Sequence, residues 1–128
     1  IIAAIDVKKT IFGKQKVHIL NGKKNAKLDP VEHAVNMEKL GAGEIFINSV
    51  DKDGEMEGYD LELIETISNA VKVPVVASGG AGQIDHMKQA IQSGASAAAA
   101  GSMFVYKGSQ KGILINYPEK EELKTLYQ

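Results

Sequence analysis

The chain has no cysteine and no arginine. The first absence excludes a disulfide framework and any thiolate metal site, and three scattered histidines supply no ligand spacing in their place. The second removes planar, bidentate recognition of anions. All fifteen basic residues are lysine, and a phosphate would have to be held by backbone N–H groups, hydroxyls and ammonium point charges. Also missing are a charged-then-apolar leader and any apolar run of about eighteen residues, so a soluble, cytoplasmic protein with no membrane contact is expected.

The net charge of -1 conceals an asymmetry. Residues 1–28 hold seven lysines against Asp6 alone, while the remaining hundred residues carry eight lysines against fifteen acids. The basic end has neither interleaved aromatics nor a basic helix face, which argues against nucleic acid and for a phosphorylated small molecule or a solvated loop.

The stretch around which the rest is organised is Val73-Pro74-Val75-Val76-Ala77-Ser78-Gly79-Gly80-Ala81-Gly82. A β-branched apolar run without polar alternation reads as a strand buried on both faces. Its glycines 79, 80 and 82 permit positive φ and leave no Cβ in the way, so an anion can approach the main chain where the next helix begins. A tight strand-to-helix turn without a ligand is the competing reading.

The same plan recurs along the chain. Ile1-Ile2-Ala3-Ala4-Ile5 is an apolar run that stops at Asp6, followed by a lysine-rich segment through the Asn21-Gly22 turn, expected as a partly β-structured loop over the site or else a surface hairpin. Asp29-Pro30-Val31-Glu32 has the parts of a helix start, with Asp29 as cap and Pro30 in the first helical position. That helix should end at Gly41, with Val31, Ala34, Val35 and Leu40 inward and His33 near the outer border. Glu44 to Asp51 is a third strand candidate, and a second helix capped by Asp60 should turn Leu63, Ile64, Ile67, Ala70 and Val71 inward. Asp85–Ser93 reads as the next helix. Ala97-Ala98-Ala99-Ala100 would be helix on propensity alone, but its place between Gly94 and Gly101, where a strand is due, argues for a crowded buried strand. A final helix is expected from Pro118.

Four strand-and-helix units result, with strands starting near residues 1, 44, 73 and 97. Strands separated by helices pair in parallel through right-handed crossovers, and chemistry in such folds lies at the C-terminal strand ends. Asp6, Asp51, Ser78 and Ser102 all arrive there. The length is about half the ~250 residues of a closed eightfold barrel.

Taken together, Ala4-Ile5-Asp6-Val7-Lys8, Asn21-Gly22-Lys23-Lys24-Asn25, Gly41-Ala42-Gly43-Glu44-Ile45, Asn48 to Gly54, Gly58-Tyr59-Asp60, Ala77 to Gly82 and Ala100 to Phe104 closely resemble the C-terminal half of the imidazole glycerol phosphate synthase cyclase subunit family. The resemblance implies an α/β fold, a (βα)4 half of a (βα)8 TIM barrel, with residues 1–128 forming that one half-barrel. It implies an activity in histidine biosynthesis that takes ammonia from a glutaminase partner and cleaves and cyclises a phosphorylated aminoimidazole ribonucleotide precursor, without a metal or other cofactor. By position, Asp6 is the implied catalytic acid/base, and Asp53, Gly54, Ser78, Gly79, Gly80, Gly101 and Ser102 the implied phosphate cradle. Gly22 matches the loop beside the site.

The first half of the barrel, with its own aspartate and phosphate site, is absent from this sequence. The chain alone is therefore expected to be inactive, and to need either a missing N-terminal half or a second copy of itself. The tail, Tyr106-Lys107-Gly108 and Ile113 to Pro118, is more like paralogues of that family in surface-polysaccharide gene clusters, which pass ammonia to a sugar amidotransferase. A half-barrel that binds phosphate without turnover is the third expectation.

Overall fold

A computed structural model describes all 128 residues. Four strands run parallel: β1 (Ile2–Lys9), β4 (Glu44–Ser49), β5 (Val75–Ser78) and β6 (Ala97–Ala98). Between the first two, β2 (Gln15–Ile19) and β3 (Lys24–Asn25) add an antiparallel meander, giving the sheet order β3-β2-β1-β4-β5-β6. The expected four units are present, and the alanine run enters the sheet as a strand. The molecule is an open half of a (βα)8 barrel. None of its helices is long and apolar enough to cross a membrane.

β1 does not stop at Asp6. It continues to Lys9 because β2 pairs with its second half, Asp6 opposite His18 through Lys9 opposite Gln15. The segment between β1 and the first helix is thus a surface meander, the hairpin alternative.

Helix α1 (Pro30–Lys39) starts where Asp29 accepts from the backbone N–H groups of Val31 and Glu32, at 2.9 and 3.0 Å. Asp60 caps α2 (Leu61–Ala70) through the Leu63 N–H at 3.1 Å, and α3 spans Ile84–Gln92. Two expected inward residues fail: Leu40 is the exposed C-cap of α1, and Ala70, in the last turn of α2, is also exposed. Leu40 has left the helical path at the cap, whereas Ala70 is still helical and the next residue, Val71, returns to the core as expected.

The helices pack on one face of the sheet only. Ile5, Val7, Ile45, Ile47, Val75 and Ala77 meet Ala34, Leu63, Ile64, Ile67 and Met87 there, nearly all excluded from solvent. Burial of each large side chain contributes about 1.5–3 kcal/mol. The opposite face, Ala4, Asp6, Phe46, Asn48, Val76 and Ser78, is only partly covered, so β5 alternates buried and half-buried instead of being buried on both sides. Burial on both sides is a property of a closed barrel, whose strand interiors face one another.

After β6 come one helical turn α4 (Ser102–Val105), a small hairpin of β7 (Tyr106–Lys107) and β8 (Gly112–Ile113), and α5. α5 spans Lys120–Lys124, two residues later than expected, because Glu119 and Glu122 form a reciprocal capping box. The following turn packs on α3, and Tyr127 donates to the Ser96 carbonyl at 3.0 Å.

At the other end of the sheet, Glu38 of α1 accepts from the backbone N–H groups of Lys72 and Val73, at 2.6 and 2.9 Å, and so ties α1 to the chain entering β5. Glu38→Ala leaves two donors without that acceptor and should destabilise the fold by about 1–3 kcal/mol, with Glu38→Gln losing less. Urea unfolding of the three proteins checks this.

Candidate functional site

At the C-terminal ends of the parallel strands, three loops enclose a polar cleft of about 30 Å³. The β4–α2 loop contributes Asp53 and Gly54, the β5–α3 junction Ser78 to Ala81, and the β6–α4 junction Ala99 to Ser102. Seven of the nine residues singled out in the sequence, Asp53, Gly54, Ser78, Gly79, Gly80, Gly101 and Ser102, line this one cleft. Gly79, Gly80, Ala81 and Gly101 carry backbone N–H groups that make no hydrogen bond within the molecule. A concavity with several free N–H groups suits an anion. Wider hollows, about 320 Å³ beneath the tail and about 430 Å³ at the meander tip, include none of these four residues.

The glycines are required by intramolecular contact as well as by any ligand. A Cβ on Gly80 would lie 2.1 Å from the Gly58 carbonyl oxygen, and one on Gly82 2.1 Å from that of Met56. The β4–α2 loop therefore lies directly on the β5–α3 loop, fastened by the Gly58 N–H to the Gly80 carbonyl at 2.7 Å. Gly79 and Gly80 have φ of +90° and +111°; Gly82 does not need positive φ, contrary to expectation, and is glycine for space. The His86 Nδ1 accepts from the Gly82 N–H at 3.1 Å. Tyr59 closes the other side. Its buried hydroxyl donates to the Ala99 carbonyl at 2.8 Å, joining the loop before α2 to the end of β6.

Asp6 lies outside the cleft but in line with it. The register places Asp6 beside Asn48 and Asn48 beside Ser78, a row across three strands on the uncovered face. Asn48 donates its amide to Asp6 at 3.1 Å. Lys8 does not pair with Asp6: the molecule's two ion pairs are Lys88–Asp85 and Lys124–Glu121. The carboxylate is held by an amide and has no fixed cation.

Asp51, although at the same rim, has a structural bond, accepting from the Lys9 N–H at 2.7 Å. Gly22 (φ +78°) is buried against Val50 and does not join the cleft.

The contacts of Asn48, Tyr59 and Lys111 escaped the sequence reading, although Asn48 and Tyr59 stand in its motif stretches. Asn48 had a signal in the alternation of Phe46 and Asn48 against Ile45, Ile47 and Ser49. Lys111, on the tail hairpin, donates to the Gly54 carbonyl at 2.9 Å, and nothing local in the sequence places it beside the cleft. No group of three or more metal-ligating side chains is present.

Residues 1–111 match the family model described as histidine biosynthesis protein. The chain is 43% identical over 129 residues to a Leptospira interrogans protein provisionally named imidazole glycerol phosphate synthase subunit HisF, covering 99% of this chain and 51% of that protein. A Vibrio vulnificus protein provisionally named imidazole glycerol phosphate synthase subunit hisF3 is 44% identical over 126 residues, 97% of this chain and 48% of that one. The Endomicrobium trichonymphae imidazole glycerol phosphate synthase subunit HisF is 47% identical over 107 residues, 84% and 41% respectively. The chain spans about half the length of the curated relatives it matches. The family model ends before β8, whereas the first two matches run over nearly the whole chain, the tail included.

Burial pushes the Tyr59 phenol up from 10.0 to about 12. With the folded value above the unfolded one, its contribution to stability is complete below about pH 10 and is lost as pH rises through 12. Tyr59→Phe should cost about 0.5–1.5 kcal/mol at neutral pH through the lost bond to Ala99. It should also flatten the alkaline fall in stability, as read by chemical unfolding from neutral pH upward.

Proposed function

The chain belongs to the histidine biosynthesis protein family, and from that premise we propose that it is the C-terminal half-barrel of an imidazole glycerol phosphate synthase cyclase subunit. In the completed barrel it uses ammonia from a glutaminase partner to cleave and cyclise a phosphorylated aminoimidazole ribonucleotide precursor. The observation that carries this reading is the meeting of seven sequence-selected residues around one cleft, with four free backbone N–H groups among its lining residues and the Asp6–Asn48 pair in register beside it.

The roles follow from chemistry. The free N–H groups and the Ser78 and Ser102 hydroxyls hold a phosphate, which fixes the ligand relative to Asp6. Ring closure and C–N cleavage both need protons moved at defined atoms, and Asp6, oriented by Asn48 and unneutralised by any lysine, is the acid/base. Asp53, exposed on the cleft's rim, suits a ligand hydroxyl better than the phosphate.

Residues 1–128 serve as one half-barrel, with a partner half to complete it. The first half of β1 has a strand on one side only, and β6 is a bare edge two residues long. With the partly covered sheet face, these edges favour an N-terminal half or a second copy.

A second reading is supported by the tail. Because the tail lies mostly beyond the family model yet within the Leptospira and Vibrio matches, the chain also fits a paralogue that conveys ammonia to a sugar amidotransferase. A phosphate-binding half-barrel without turnover is the remaining reading.

Complementation separates them. A full-length protein carrying this chain should restore growth of a histidine auxotroph lacking the cyclase, and Asp6→Asn should lower its turnover by roughly 10²-fold or more without loss of folding. Failure of the wild type to complement, with ammonia-dependent sugar amidation intact, selects the paralogue. Failure of both assays, with sugar-phosphate binding retained, selects the inactive half-barrel.

A further inference from the structure

We propose that Lys111, carried on the hairpin beyond the last parallel strand, is the cation of the anion-binding cleft and contacts the ligand's phosphate directly. The proposal rests on the reading of the cleft given above and adds a tail residue that no motif marks. The cleft needs a charge that its own lining does not supply. Its lining residues include no lysine, and their one charged side chain is the Asp53 carboxylate, which repels an anion. The free N–H groups are dipoles, able to orient a phosphate without offsetting a full negative charge.

Lys111 stands where the offset is needed. Its Nζ donates to the Gly54 carbonyl at 2.9 Å, and Gly54 is part of the cleft wall, next to Asp53. Asp53 and Glu55 flank Gly54 in the chain, yet neither carboxylate pairs with the ammonium, since the molecule's two ion pairs lie elsewhere. An ammonium has three donors. One is used on Gly54, and two remain for a ligand. No other lysine has its ammonium fixed on a residue of the cleft.

The route of the chain explains how a residue 57 positions from Gly54 comes to lie on it. Gly101 and Ser102 line the cleft, α4 follows at once, and the β7–β8 hairpin brings the chain back to the β4–α2 loop. The hairpin's base is fixed. The Leu114 N–H donates to the Val105 carbonyl and the Asn116 N–H to the Phe104 carbonyl, both at 2.8 Å, and the Phe104 and Tyr117 ring centroids are 5.1 Å apart. The turn closes on Lys111 itself, whose N–H reaches the Gly108 carbonyl at 3.1 Å and whose φ is +50°. A glycine takes that φ more readily, so the side chain is held there at a conformational cost. Lys111 thereby joins the tail that leaves β6 to the β4–α2 loop, two of the segments that frame the cleft.

Titration of a full-length protein carrying this chain with inorganic phosphate, read by NMR at the Gly79, Gly80, Ala81 and Gly101 amides, tests the proposal. Lys111→Gln keeps a donor for the Gly54 carbonyl but removes the charge. It should raise the Kd for phosphate about fivefold, the scale of a solvent-exposed charge pair. Lys111→Arg should restore the wild-type Kd. At about 1 M salt, where the Debye length falls to ~3 Å, wild type and Lys111→Gln should converge. An unchanged Kd in Lys111→Gln overturns the proposal and leaves the reading of the cleft standing. So does a weakening that Lys111→Arg does not restore and salt does not remove, which marks Lys111 as an anchor of the tail alone. Wild-type amides that do not move with phosphate sink the reading of the cleft, and the proposal with it.

Discussion

Parallel pairing of β1, β4 and β5 in a single register is the constraint on which the rest of the molecule depends. Ile5, Ile47 and Ala77 fall side by side toward the helices, which forces Asp6, Asn48 and Ser78 side by side onto the opposite face. A slip of one residue would exchange the two sets, placing a carboxylate against α1 and α2 and isoleucines in the open. The apolar burial that stabilises the sheet therefore also aligns the polar row. Core and site are two faces of one pairing.

The second dependency lies at the strand ends, where close backbone approach takes the place of side-chain packing. Gly80 and Gly82 let the β4–α2 loop rest on the β5–α3 loop, and Tyr59 reaches across to hold the end of β6. Three loops from three units are thereby fixed against one another by main-chain contacts and one buried hydroxyl. The N–H groups left over from this arrangement are what suit the cleft to an anion. Lysines at its margin, such as Lys111 on the Gly54 carbonyl, add charge without the bidentate geometry that an arginine-free chain lacks.

Much of this was legible in the sequence, for identifiable reasons. The caps Asp29 and Asp60, the four parallel strands and the glycine-rich junctions are local signals, and local chemistry fixes them. Of the residues lining the cleft, Ser78, Gly79, Gly80, Gly101 and Ser102 were marked by standing at strand ends, whereas Asp53 and Gly54 came from the family resemblance. What was not legible depends on partners distant in sequence. β1 extends past Asp6 only because β2 folds back on it, and Glu38 reaches a backbone segment 34 residues away. Burial of β5 on both faces was misread because the apolar run is suited to a closed barrel, whereas these residues cover only one side.

The claim at the centre of this account is that the junctions after β4, β5 and β6 form one anion-binding cleft. Titration of the amide NMR spectrum with a sugar phosphate tests it most directly. The account predicts that the N–H resonances of Gly79, Gly80, Ala81 and Gly101 shift together with a single saturating affinity. Shifts confined to the lysine-rich meander, with those four amides unmoved, would contradict it.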